Sequence, residues 1–192
     1  MRLIIHFAAM LAIALVVGFG LSYFSLVDGR FFGAYRWGAW VARPEVGSPA
    51  PDPYTRAYLA RTGTLQLGRG EGVQFIAVQD SEGQPLMRNC AYRVSGDTPV
   101  AAFWTLRATT PEGINIAQEG MPLSMHSTRL ARSNTGVASI HVSSGVSSGN
   151  WLQLAPGTGE FQLVLTFYDA SFLAGFGANV TALPAVIKEG CA

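Results

Sequence analysis

The chain has 192 residues, 49% hydrophobic and 13% charged, with a formal net charge of +1. That length supplies one ordinary domain beyond a membrane segment, not two. The arginines are scattered singly and Lys188 is the lone lysine, which argues against a nucleic-acid partner, since such proteins carry a basic stripe. Two cysteines, Cys90 and Cys191, are too few for a disulfide-dense scaffold or a four-ligand zinc site.

Residues 3–27 (LIIHFAAMLAIALVVGFGLSYFSLV) contain no Asp, Glu, Lys or Arg. About 20 apolar residues suffice to cross the hydrocarbon core. The run is apolar all round, so a buried helix of a soluble domain, with its single stripe, fits less well. It exceeds the roughly 7–15 apolar residues of a cleavable signal, and no small-x-small site follows. Residues 1–28 are therefore expected to be an uncleaved, single-pass signal anchor, with the lipid bilayer as its partner. Tyr23, Phe24, Phe31, Phe32, Tyr35, Trp37 and Trp40 then read as rings at the interface. Arg2 precedes the run, while Asp28, Arg30, Arg36 and Arg43 follow it, so local charge alone does not set the orientation.

Residues 29–51 are first aromatic and glycine-rich, then proline-rich. Pro44, Pro49, Pro51 and Pro53 forbid a continuous helix, so the expectation is a juxtamembrane segment and linker. The domain is placed at 52–192. It opens on a short helix: Asp52 can cap it, Pro53 fits the first position and Gly63 fits just past the end. Arg56 and Arg61 read as its solvated face.

From there the pattern is β. Strands are expected at 73–78, 90–94, 102–109, 137–142, 160–168 and 185–188, separated by turn clusters at 80–83, 95–99 and 111–113. The clearest alternation sets Phe161, Leu163, Leu165 and Phe167 on one face. The fold class expected is mainly β: a transmembrane helix followed by a jelly-roll-like antiparallel β-sandwich with one short helix.

The segments YRVSGDTPVAAFWTLRATTPEG and SGNWLQLAPGTGEFQLVLTFY carry a further pattern. Tyr92, Arg93, Phe103, Trp104, Leu106, Asn150, Trp151, Leu152, Pro156, Phe161 and Leu163 occupy its positions over roughly the last 120 residues. This resembles the bacterial family called domain of unknown function 1214. The resemblance implies a jelly-roll-like sandwich, and a neighbour from the related family numbered 1254 as a membrane-anchored partner. It brings no established catalytic residues. The acidic residue of the turn after the Phe-Trp strand is displaced here, in Thr109-Thr110-Pro111-Glu112-Gly113.

Few residues offer chemistry. Cys90 and Cys191 are expected to form a disulfide, which also argues for a compartment outside the cytoplasm. His126 and His141 lack nearby carboxylates in sequence, and no G-x-S-x-G elbow accompanies the serines, so neither a triad nor a metal site is expected. Trp104, Asn150 and Trp151 are the candidate ligand-binding residues, with structural packing as the alternative for the last two. Residues 143–149 and 175–181 read as surface loops, the second as a lid or partner contact.

These readings predict a bacterial inner-membrane protein with its domain in the periplasm, serving as a structural or interaction module of the envelope. A glycan- or small-ligand-binding domain and an envelope hydrolase are the alternatives, and no cofactor is expected.

Overall fold

The structure, a computed structural model, describes residues 2–28, 34–63, 67–68, 70–99, 101–170 and 183–191. The expected loop at 175–181 and the rings of Phe31 and Phe32 lie outside these.

Helix α1 spans Arg2–Asp28, as its unbroken apolar run dictates. Its stretch Arg2–Phe24 is long and apolar enough to cross a membrane, and none of its apolar side chains is buried by the rest of the chain. Helix α2 spans Pro53–Thr62 and is capped as the sequence predicts. Asp52 Oδ1 accepts from the Tyr54 and Thr55 N–H groups at 2.9 and 3.2 Å. The Thr55 hydroxyl donates to Oδ2, and these bonds hold the Asp52 carboxyl below the usual carboxylate range. Gly63, left-handed at φ +61°, closes the other end.

The described residues also form ten strands: β1 (Tyr35–Trp37), β2 (Trp40–Ala42), β3 (Gly72–Ala77), β4 (Cys90–Gly96), β5 (Ala101–Thr109), β6 (Met125–His126), β7 (Ala138–Ser143), β8 (Asn150–Gln153), β9 (Gln162–Ala170) and β10 (Ala185–Cys191). They form a six-stranded sheet, β1-β2-β3-β9-β5-β6, and a four-stranded sheet, β10-β4-β7-β8. The inner faces of both meet in one apolar core. Phe75, Leu106, Leu165 and Phe167 come from the first sheet, and Tyr92, Val142, Leu152 and Val186 from the second. The mainly β sandwich is thus present, with one departure from antiparallel order: β7 and β8 run parallel, with Ile140 beside Asn150.

β9 is the central strand. It pairs with β3 through Phe75↔Leu165 and with β5 through Leu106↔Leu165. The predicted alternation is correct, but the other face is covered too: Val164 and Thr166 are as buried as the core residues. Gly72 is needed where β3 approaches β9, because a Cβ there would collide with the Phe167 carbonyl.

The segment expected as juxtamembrane linker departs from that reading. β1 and β2 form a hairpin, and β2 extends the large sheet by pairing Trp40 with Ala77 and Ala42 with Phe75. Trp40 is 1% exposed and its indole N–H donates to the Pro184 carbonyl at 2.7 Å. Trp37 packs edge-on against Phe75, ring centroids 5.7 Å apart. The ordered sheet therefore begins upstream of residue 52, and Trp40 is a core residue, not an interfacial ring. Trp40→Ala should cost about 3–5 kcal/mol of unfolding free energy, the range for losing a large buried aromatic. Denaturant titration of the purified chain measures this, and a loss under about 0.5 kcal/mol, typical of a linker position, would contradict the assignment.

Candidate functional site

Two concave regions collect the chemically capable residues. The first lies between the sheets at the end where β4 stops and β7 begins. It is a cavity of about 220 Å³ lined by Trp104, Leu106 and Leu165 from the large sheet and Val94 and Ile140 from the small one. Asp97, Thr98, Arg132 and Thr135 contribute its polar boundary. Trp104 is only 5% exposed and lies against Phe167 with ring centroids 6.5 Å apart. Its ring is a cavity wall and not an open stacking platform.

The second region spans the outer surface of the small sheet near the disulfide. Cys90 and Cys191 are bonded, closing a sequence separation of 101 residues between register partners on β4 and β10. Beside them Glu189 accepts from the Arg93 guanidinium at 2.8 Å, and its other oxygen lies 3.1 Å from His141 Nδ1. Three strands are thus clipped together by one carboxylate: β10, β4 and β7. Partial burial by itself would raise the Glu189 pKa, but the bonds from Arg93 and His141 outweigh it and hold the carboxyl below its ordinary value.

The serines nearby do not complete a triad. Ser143 Oγ donates to the Gly145 carbonyl at 2.8 Å and accepts from the Trp151 indole at 3.1 Å. His141 has an acid partner but, among the described residues, no serine hydroxyl hydrogen-bonded to it. His126 sits on β6 in the other sheet, against the Phe103 ring. Among the described residues no group of three His, Cys, Asp or Glu could hold a metal ion.

Asn150 and Trp151 are committed to structure. The Asn150 amide accepts from Ala131 N–H at 2.7 Å and donates to the Ala131 and Ser139 carbonyls at 2.7 and 2.9 Å. The Trp151 ring is half-buried against the 143–145 bend. The three candidate ligand residues are therefore not brought together: Trp104 lines the intersheet cavity, while Asn150 and Trp151 fix β8 on the small sheet. Arg132 at the cavity and Glu189 of the clip carried no sequence signal, since each is a lone charge until the strands pair; Arg93 and His141 were visible singly, but not their convergence on Glu189.

A family model described as "Protein of unknown function (DUF1214)" matches residues 71–172. The chain belongs to this family. The matched DUF1214 stretch begins next to β3 and ends just past β9, so it holds the large sheet's three central strands and omits the β1–β2 hairpin and β10. No curated protein matches the chain. Among solved structures, the VPA0106 protein from Vibrio parahaemolyticus is similar at TM-score 0.56 and 18% identity, covering 70% of this chain. This chain spans about a third (35%) of that protein, and the likeness speaks to the fold alone. An uncharacterized protein from Burkholderia cenocepacia aligns at TM-score 0.42 and 17% identity, over 76% of this chain and 45% of its own.

The DUF1214 clip has a signed pH dependence. A depressed folded pKa means Glu189 stabilises the fold above its ordinary value of 4.5, and this contribution disappears as pH falls through the folded value. Both partners are substantially exposed, so the effect is no more than about 1 kcal/mol. Thermal melts of the native chain and Glu189→Gln should differ near neutral pH and converge near pH 3. A constant difference across that range would show that the charge is irrelevant.

Proposed function

We propose that this DUF1214 protein is a single-pass, membrane-anchored module of the bacterial envelope, with its sandwich outside the cytoplasm. The observation that carries this reading is a disulfide-closed domain downstream of a bilayer-length apolar helix. Reducing compartments keep thiols apart, so the Cys90–Cys191 bond fits an exported domain. Arg2–Phe24 supplies 23 residues, about 35 Å of helix at 1.5 Å per residue, against a core about 30 Å thick.

The anchor fixes the domain close to the bilayer. Residues 29–34 are the six between α1 and β1, a length that spans at most about 22 Å even at full extension. The β1–β2 hairpin is therefore the membrane-proximal edge. Tyr35 and Trp37 stack on it, ring centroids 5.8 Å apart, with Arg36 between them in sequence, a composition suited to headgroups.

The module's work in this reading is contact with a second membrane-anchored protein, of the related family numbered 1254. The connection between β5 and β6 leaves Ile114, Met121 and Leu123 exposed at 66, 45 and 64%. The Asn115 amide donates to the Leu123 carbonyl at 2.9 Å and keeps this stretch folded back on itself. Such a grouping of apolar side chains is what a protein contact would cover.

Affinity purification from gently solubilised membranes, using a C-terminal tag, tests the proposal. The expected product retains residues 1–28, gains two protons on reduction and brings a second membrane protein with it. The pair Ile114→Asp and Leu123→Asp should lose that partner while changing stability by less than about 0.5 kcal/mol. A chain cleaved after α1, with free thiols and no partner, overturns the reading. Reduction of the intact chain should also lower its unfolding free energy, by up to about 4.7 kcal/mol for a loop of this size; denaturant curves with and without dithiothreitol report it.

A further inference from the structure

We propose that the intersheet cavity is a binding site for a small monoanionic amphiphile: an aromatic or branched aliphatic body carrying one carboxylate. This does not depend on the anchor or on the partner contact.

The apolar interior sets the body. Val94, Trp104, Leu106, Ile140 and Leu165 come from four strands and two sheets, and they form the apolar part of the walls around about 220 Å³. A cavity of about 150 Å³ holds benzene. The space here therefore takes a benzene ring with one short substituent. The space opens to solvent at its rim, where Asp97, Arg132 and Thr135 are exposed, so a ligand can enter from that side. Gly96 helps form the boundary. At φ +135°, with Pro184 Cα 3.3 Å from where its Cβ would lie, it lets β4 end against the start of β10 without filling the space.

The boundary sets the head. Arg132 lies on the connection before β7, and its Nη1 donates to the Gly136 carbonyl at 3.0 Å. That bond orients the guanidinium and leaves its remaining N–H groups to a ligand; no carboxylate pairs with it among the described residues. A guanidinium beside an apolar cavity recognises a carboxylate through parallel N–H donors. Thr98 and Thr135 add hydroxyls. Asp97 on the same boundary disfavours a second negative charge, which selects a monoanion over a phosphate monoester.

The test uses the full chain in lipid nanodiscs and two fluorine-labelled probes, 4-(trifluoromethyl)benzoate and 4-(trifluoromethyl)benzyl alcohol. Ligand-observed fluorine NMR reads binding as line broadening beyond that of empty nanodiscs. The native chain should broaden both probes and bind the benzoate more tightly. Arg132→Gln should weaken the benzoate roughly tenfold or more, the scale of a lost hydrogen bond to a charged group, and leave the alcohol within about twofold. Two variants fill the space from different sides: Ala138→Leu at the buried wall and Val137→Phe at the half-exposed position beside it. Thermal melts identify those that remain folded, and either one should abolish the broadening of both probes. The proposal is overturned if the native chain broadens neither probe beyond empty nanodiscs. It is equally overturned if a folded filling variant broadens them as the native chain does. Binding of both probes that is insensitive to Arg132→Gln removes the carboxylate assignment.

Discussion

The burial of β9 on both faces governs this fold. Leu163, Leu165 and Phe167 enter the intersheet core, while Val164 and Thr166 are buried on the opposite side, so β9 has no face left for water over residues 163–167. Its partners are β3, about 90 residues upstream in register terms (Gln74↔Thr166), and β5, about 60 upstream (Thr105↔Thr166). Neither pairing is local, so the large sheet cannot form by growing a hairpin; it must close long loops first. The small sheet has the same character, with β10 returning to β4 across about 100 residues (Cys90↔Cys191). The disulfide lies at the far end of that return and closes the longest of these loops covalently. Its contribution falls where the chain-entropy cost of the topology is greatest.

What was legible in the sequence follows from which constraints are local. The apolar run of α1 and the Asp52, Pro53 and Gly63 signals of α2 need no tertiary partner, and their boundaries match the structure closely. Period-two alternation located β9 within two residues, because burial of one face imprints that period directly. The β1–β2 hairpin was not legible. Tyr35, Trp37 and Trp40 have the same composition whether they face headgroups or a core. The deciding contact, Trp40 to Pro184, joins residues 144 positions apart. The parallel pairing of β7 with β8 was equally hidden. Parallel neighbours generally need a crossover of a dozen or more residues, whereas here residues 144–149 suffice to bring Asn150 back beside Ile140. The Asn150 amide, bonded to Ala131 and Ser139, holds that return in place.

The candidate sites divide in the same way. Trp104 could be singled out as a large aromatic, although its burial converts it from a stacking surface into a cavity wall. Arg132 and Glu189 could not, because a single charge in a sequence acquires meaning only from what folds against it. Glu189 reaches Arg93 and His141 because β10 lies beside β4 and β4 beside β7. No run of residues foreshadows that convergence.

Pro184 connects these features. Its carbonyl receives the Trp40 indole, its ring borders the intersheet cavity, and it immediately precedes β10, the strand stapled by the disulfide and the Glu189 clip. The hairpin that follows the apolar helix, the boundary of the cavity and the disulfide-bonded edge therefore share one short stretch of backbone. A packed core transmits displacement instead of absorbing it. Movement of the hairpin relative to the sheet would have to break the Trp40–Pro184 bond or carry the cavity boundary with it. The opposite end of β10 is held by Cys191 and Glu189, so the strand cannot relieve such a movement by sliding. The same geometry thus ties the N-terminal hairpin to one side of the cavity boundary.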